Sequence, residues 1–126
     1  MQVEADDFTY VAGVPAVEEL LEQATPDAIV CANDLLAVAA IKVLRQHGVS
    51  IPGDVAVVGM DDTDICELVV PTLTSVDLGS QQRAAAAARL LLERLDDPER
   101  PARLVTVEPT LTIRESSLDD QPSRHR

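Results

Sequence analysis

Ala28-Ile29-Val30-Cys31-Ala32 runs straight into Asn33-Asp34, and Val55-Ala56-Val57-Val58-Gly59-Met60 runs straight into Asp61-Asp62. Each stretch is a short, continuous apolar run rich in β-branched residues and ends abruptly in polar ones, which is how a buried strand reads. Between them, Leu35 to Arg45 has the character of a helix, apolar early and charged late. Asn33 and Asp34 are good helix N-cap types, Lys42 and Arg45 suit the negative end of the dipole, and Gly48 is a natural stop. Pro52-Gly53-Asp54 makes the turn into the second run. Strand, helix and strand in this order form a βαβ unit whose strands are expected to be parallel and adjacent. Neither run alternates with polar residues, so both faces of the sheet are expected to be covered. The fold class is α/β, a parallel sheet flanked by helices.

Outward from this unit, residues 1–13 are acidic and mixed, with Phe8, Tyr10 and Val11 as bulky anchors. Pro15 is expected to begin a helix in which Val17, Leu20 and Leu21 recur at three and four residues, and Pro26 to end it. Past Pro71, Leu73-Thr74-Ser75-Val76 reads as a further strand, and a long helix is expected from Ser80 to Leu95. Leu90, Leu91 and Leu92 together spread over about 200° of that helix, more than one core-facing stripe needs. A partner surface is expected there. Arg103–Glu108 and Thr110–Arg114 read as two short extended segments around Pro109, and residues 117–126 as a solvated tail.

Composition narrows the function classes. The chain has 126 residues, enough for one domain with its own core, and 46% are hydrophobic. Phe8 and Tyr10 are the sole aromatics, so the core must be aliphatic. The formal net charge of −12 opposes binding to DNA or to an anionic membrane surface. No apolar stretch approaches the roughly 20 residues that span a bilayer, and the acidic start is unlike a signal peptide, so the cytoplasm is the expected compartment. Cys31 and Cys66 have no metal or redox spacing and read as buried free thiols.

In an open parallel sheet, ligands sit just beyond the carboxyl ends of the strands. Asn33-Asp34 and Asp61-Asp62 both fall there, on strands whose tips are about 5 Å apart. Asn33 can donate and accept together, and an ionised Asp61 accepts from two hydroxyls at once, a pairing suited to a hydroxyl- or amine-rich ligand. Phe8 can pack on an apolar ligand face. From composition and spacing alone, helix and turn capping is the favoured reading of the same residues. Asp61, Asp62 and Asp64 lack the glycine and distal glutamate of a calcium loop, so no metal is assigned. His47 and His125 have no nucleophile nearby, and there is no glycine-rich phosphate loop. Neither an enzyme nor a cofactor is expected.

Pro26–Asp34, then Gly48–Asp62 (GVSIPGDVAVVGMDD), strongly resembles the lactose-repressor/galactose-repressor family. Pro71–Val76, the later helix and Leu111–Ser117 match that family in the same order. The resemblance implies one lobe of a periplasmic-binding-protein-like (type I) effector domain that closes over a sugar or nucleobase. It implies ligand contacts from Phe8, Asn33 and Asp61, though Met60 stands where the family usually has an aromatic; Asp34 and Asp62, beside them in the strand-end clusters, are secondary candidates. It implies a homodimer that reaches DNA through a helix-turn-helix head. Neither that head nor a first lobe is among these residues, so residues 1–116 are expected to be the second lobe, with the Ser80–Leu95 helix packing on the first lobe or a partner. A free-standing dimerisation module and a piece of a sugar-transport binding protein remain as other readings.

Overall fold

Eight elements follow one another in the computed structural model, which describes residues 1–118: α1 (Tyr10–Gln23), β1 (Ala28–Val30), α2 (Asp34–Gln46), β2 (Ala56–Met60), α3 (Ile65–Leu68), β3 (Thr74–Asp77), α4 (Ser80–Asp96) and β4 (Thr110–Thr112). The strands form one sheet in the order β1-β2-β3-β4. β1 and β2 are parallel, with Ala28 opposite Ala56 and Val30 opposite Val58. β2 and β3 are parallel with Val58 opposite Thr74, and β4 returns antiparallel to β3 with Val76 opposite Leu111. The expected βαβ unit is therefore present, extended by a third parallel strand.

α1 starts at Tyr10, five residues before Pro15. Thr9 is the reason: its hydroxyl accepts from the Ala12 amide at 3.3 Å and caps the helix. Pro15 lies inside, where it has no N–H to offer the Val11 carbonyl. Val11 is 77% exposed, so water can take that carbonyl. α1 then crosses α2 at Gly13, where a Cβ would stand 2.7 Å from the Ala39 Cβ. That contact brings the two helices together on one face of the sheet.

α2 covers that face. Ala37, Ala40, Ile41, Val43 and Leu44 join Ile29, Val55, Val57 and Leu73 in the core, an aliphatic interior without an aromatic ring. Each fully buried Val or Leu contributes about 1.5–3 kcal/mol of transfer free energy. Cys31 and Cys66 are buried free thiols, as expected, and burial pushes them up to about 12 and about 11.

The opposite face is different. Ala56, Val58 and Met60 are half-buried there, Val30 is 73% exposed and Leu111 54%. Coverage of both faces is not met among the described residues. α4 buries none of its residues, and Leu91, Leu92 and Leu95 stand open. The aliphatic runs specify two covered faces, but only α1 and α2 pack as covering layers here.

Of the two extended segments expected near the end, only Thr110–Thr112 pairs as a strand; Arg103–Glu108 joins no ladder. It lies instead beside α4, where Arg103 and Arg100 meet the Glu93 carboxylate. The tail expected at 117–126 falls outside the described residues from 119 onward. Ser117 itself is held, its hydroxyl 2.7 Å from that of Thr74.

Ser116 latches the amino end of the β2–β3 ladder. It is fully buried; its hydroxyl donates to the Val57 carbonyl at 2.6 Å and accepts from the Thr74 amide at 2.9 Å. Its own amide donates to Thr72 and its carbonyl accepts from Val57, each at 2.9 Å. One residue thus supplies partners to four backbone groups, the Val57 amide and carbonyl, the Thr74 amide and the Thr72 carbonyl.

Candidate ligand-binding site

The carboxyl ends of β1 and β2 bring Asn33 and Asp61 to the same edge of the sheet. Asn33 is the N-cap of α2: its Oδ1 accepts from the Leu36 amide at 2.9 Å. Its Nδ2 donates to the Phe8 carbonyl at 2.8 Å. Capping and site-building are therefore the same act, because the amide that starts the helix also ties down the Phe8 backbone. One Nδ2 hydrogen and one Oδ1 lone pair remain for a ligand. The Phe8 ring is 64% exposed beside it.

The neighbouring carboxylates have different fates. Asp34 is 2% exposed, and both its oxygens are engaged. Oδ1 accepts from the Ser75 hydroxyl at 2.6 Å, and Oδ2 accepts from the Thr63 amide and hydroxyl, each at 2.8 Å. The room for it comes from Gly59, where any Cβ would collide with the Asp34 Oδ1. Asp62 is engaged as well. Its Oδ1 accepts from Arg114 Nη1 and its Oδ2 from the Thr112 hydroxyl, each at 2.7 Å.

Asp61 and Asp62 are consecutive left-handed residues, with φ of 106° and 48°. Such backbone costs a non-glycine residue about 1–3 kcal/mol and persists where surroundings enforce it. The enforcement is visible: the Asp61 amide donates to Val76 at 2.8 Å and the Asp62 amide to Ser75 Oγ at 3.1 Å. The turn directs the Asp61 side chain to the surface, and no hydrogen bond within the protein engages its carboxylate among the described residues.

The electrostatics separate the pair further. Desolvation at the strand ends, then the negative charge of Asp34, raise the Asp61 carboxyl above its ordinary value. Asp62 is also desolvated, but the hydrogen bonds from Thr112 and Arg114, and the Arg114 charge, bring it below. No group of three or more His, Cys, Asp or Glu is placed to hold a metal ion among the described residues.

A cavity of about 860 Å³ adjoins this edge. It touches the site through Phe8, Ala32 and Met60, and extends along β1 between residues 1–5 and the Val17 and Leu20 side of α1. It is mostly apolar and contains neither Asn33 nor Asp61, so the polar chemistry sits at its rim. Thr63, Ser75, Thr112 and Arg114 belong to the site's framework but carry no local signature in the sequence. Arg114 falls within the Leu111–Ser117 stretch that marks the family resemblance, and that was the one available pointer to it.

Comparison with known proteins gives a consistent result. Residues 2–117 match the family model of the periplasmic binding protein-like domain. The HTH-type transcriptional regulator CelR of Thermobifida fusca is 45% identical over 112 residues, which is 87% of this chain and 33% of CelR. A solved CelR–cellobiose complex superposes with a TM-score of 0.83 at 41% identity, covering 87% of this chain and 34% of that one. A LacI family regulator from Enterococcus faecium with bound ribose gives 0.79 at 29% identity, covering 88% and 41%. The chain thus spans about a third of the length of CelR.

Proposed function

Because this chain belongs to the periplasmic-binding-protein-like family of LacI-type regulators, as part of the effector-binding domain, we propose that it binds a small, hydroxyl-rich sugar at the carboxyl ends of β1 and β2. One observation carries the reading. Of the carboxylates gathered there, Asp34 and Asp62 have their oxygens engaged inside the protein, while Asp61 is held outward and left unengaged. An ionised carboxylate in that position accepts from two vicinal hydroxyls. Asn33 supplies a donor and an acceptor, and Phe8 a face for the apolar side of a pyranose ring. Asp34 and Asp62 are framework rather than contacts.

Cellobiose and ribose in the related complexes support a saccharide as the ligand class. A protein of the relatives' length would complete the cleft, dimerise and carry the DNA-binding head; ligand would then shift the population of two domain arrangements. The work is recognition, not catalysis, and its compartment is the cytoplasm. Among the described residues no helix is long and apolar enough to cross a membrane.

The test is amide-shift mapping of the isotope-labelled chain with cellobiose at millimolar concentration. The expected result is movement at Phe8, Asn33 and Asp61, abolished by Asp61→Ala. Unchanged shifts in that variant would remove Asp61 from the site. The open α4 face favours a second reading, a dimerisation module that senses nothing. A tight dimer with no cellobiose response in the wild type would select it.

A further inference from the structure

We propose that Arg114, with Thr112, is a positioning residue for Asp61: by anchoring Asp62 it locks the left-handed turn that holds the Asp61 carboxylate clear of the protein and aimed at the ligand. The inference rests on the reading of Asp61 as a ligand contact. The residues come from opposite ends of the fold. Asp61 and Asp62 leave β2, whereas Thr112 closes β4 and Arg114 follows it.

Arg114 is well placed to act as an anchor. Its side chain is 13% exposed, and its guanidinium makes three bonds: Nη1 to Asp62 Oδ1 at 2.7 Å, Nη1 to the Leu73 carbonyl at 2.9 Å, and Nε to Glu67 Oε1 at 2.6 Å. It therefore joins the turn to the entry of β3 and to α3. The Arg114 amide is in turn fixed by the Thr74 hydroxyl at 2.8 Å. Thr112 completes the grip on the second Asp62 oxygen.

Geometry explains why Asp62 must be held. Two successive residues at positive φ would relax toward ordinary backbone once released, since each stores strain. The Asp61 amide on Val76, the Asp62 amide on Ser75 and the Asp34 bonds to Thr63 hold the backbone of the turn, and Arg114 with Thr112 alone hold the Asp62 side chain. With Asp62 free, Asp61 would sample several orientations, and a contact that must be ordered on binding loses affinity. Asp62 and Arg114 never need to touch ligand for this effect.

Arg114→Met keeps the length of the stem and removes the donors, while Thr112→Val removes one bond with little change of shape. The three-bond HN–Hα couplings of Asp61 and Asp62 are the direct readout, and need no ligand. In both variants they should move toward values of a freely averaging chain, with the amides of α1 and α2 unmoved. Arg114→Lys should restore them in part. Native couplings in folded Arg114→Met, or in Thr112→Val if the first variant does not fold, would overturn the proposal. Cellobiose titration adds the functional arm, with affinity expected to fall by about tenfold, equivalent to about 1.4 kcal/mol. Asp61→Ala losing cellobiose while Arg114→Met retains it would overturn positioning alone. Asp61→Ala retaining it would overturn the site assignment, and the couplings would still decide whether Arg114 holds the turn.

Discussion

Adjacent aspartates with the same side chain have opposite electrostatic fates here. Asp62 is lowered from its ordinary 3.8 by Thr112 and Arg114, whereas Asp61 is raised from 3.8 by desolvation and the charge of Asp34. A carbon-detected carboxyl titration should therefore give Asp61 the higher midpoint; the reverse order would refute the division of labour between them. For Asp62 the folded value lies below the unfolded one. Its stabilising contribution is present above pH 3.8 and is lost as pH falls through the lowered native value. Asp61 runs the other way: ionising it costs the folded state, so sugar affinity should decline in acid before the fold does. Little of this was legible from the residues alone. Asn33, Asp34, Asp61 and Asp62 could be placed at strand ends by pattern, but capping was the favoured reading until the family resemblance shifted it toward binding. What separates the outward Asp61 carboxylate from the engaged ones of Asp34 and Asp62 is the position of Ser75, Thr63, Thr112 and Arg114, which are distant in sequence and ordinary in composition.

At the level of elements, the βαβ unit was readable because its signals are local: two aliphatic runs, a cap, a stop and a turn within about thirty residues. α1 was misplaced because Pro15 is the louder signal, although Thr9 offers the better cap. Ser116 is marked only by lying in the Leu111–Ser117 stretch, yet it latches the amino end of the β2–β3 ladder. Replacing it by Ala would strip the partner from the Val57 carbonyl and the Thr74 amide, both inside the sheet. Urea unfolding should show a loss of about 1–3 kcal/mol, the range for buried groups left without partners. A loss of only a few tenths would mean that water or a shifted backbone takes over both bonds.

For the molecule as a whole, the aliphatic composition promised more burial than these residues supply to one another. Val30 and Leu111 on the open face of the sheet, and Leu91, Leu92 and Leu95 on α4, are apolar groups in water. Exposed apolar surface of this kind drives association. Light scattering of the 126-residue chain is expected to show a mass that rises with concentration, and Leu91→Glu with Leu95→Glu to reduce it. A strictly monomeric wild type across the range would show that the charge of −12 outweighs the apolar attraction. Ser116 also bears on the order in which the molecule is made. The ribosome delivers β2 and β3 long before the residue that latches the amino end of their ladder, a separation of 59 positions from Val57. Until that late arrival, the nascent chain holds two helices over a sheet whose central ladder is open at its amino end, and it is in that interval that a chaperone would have something to recognise.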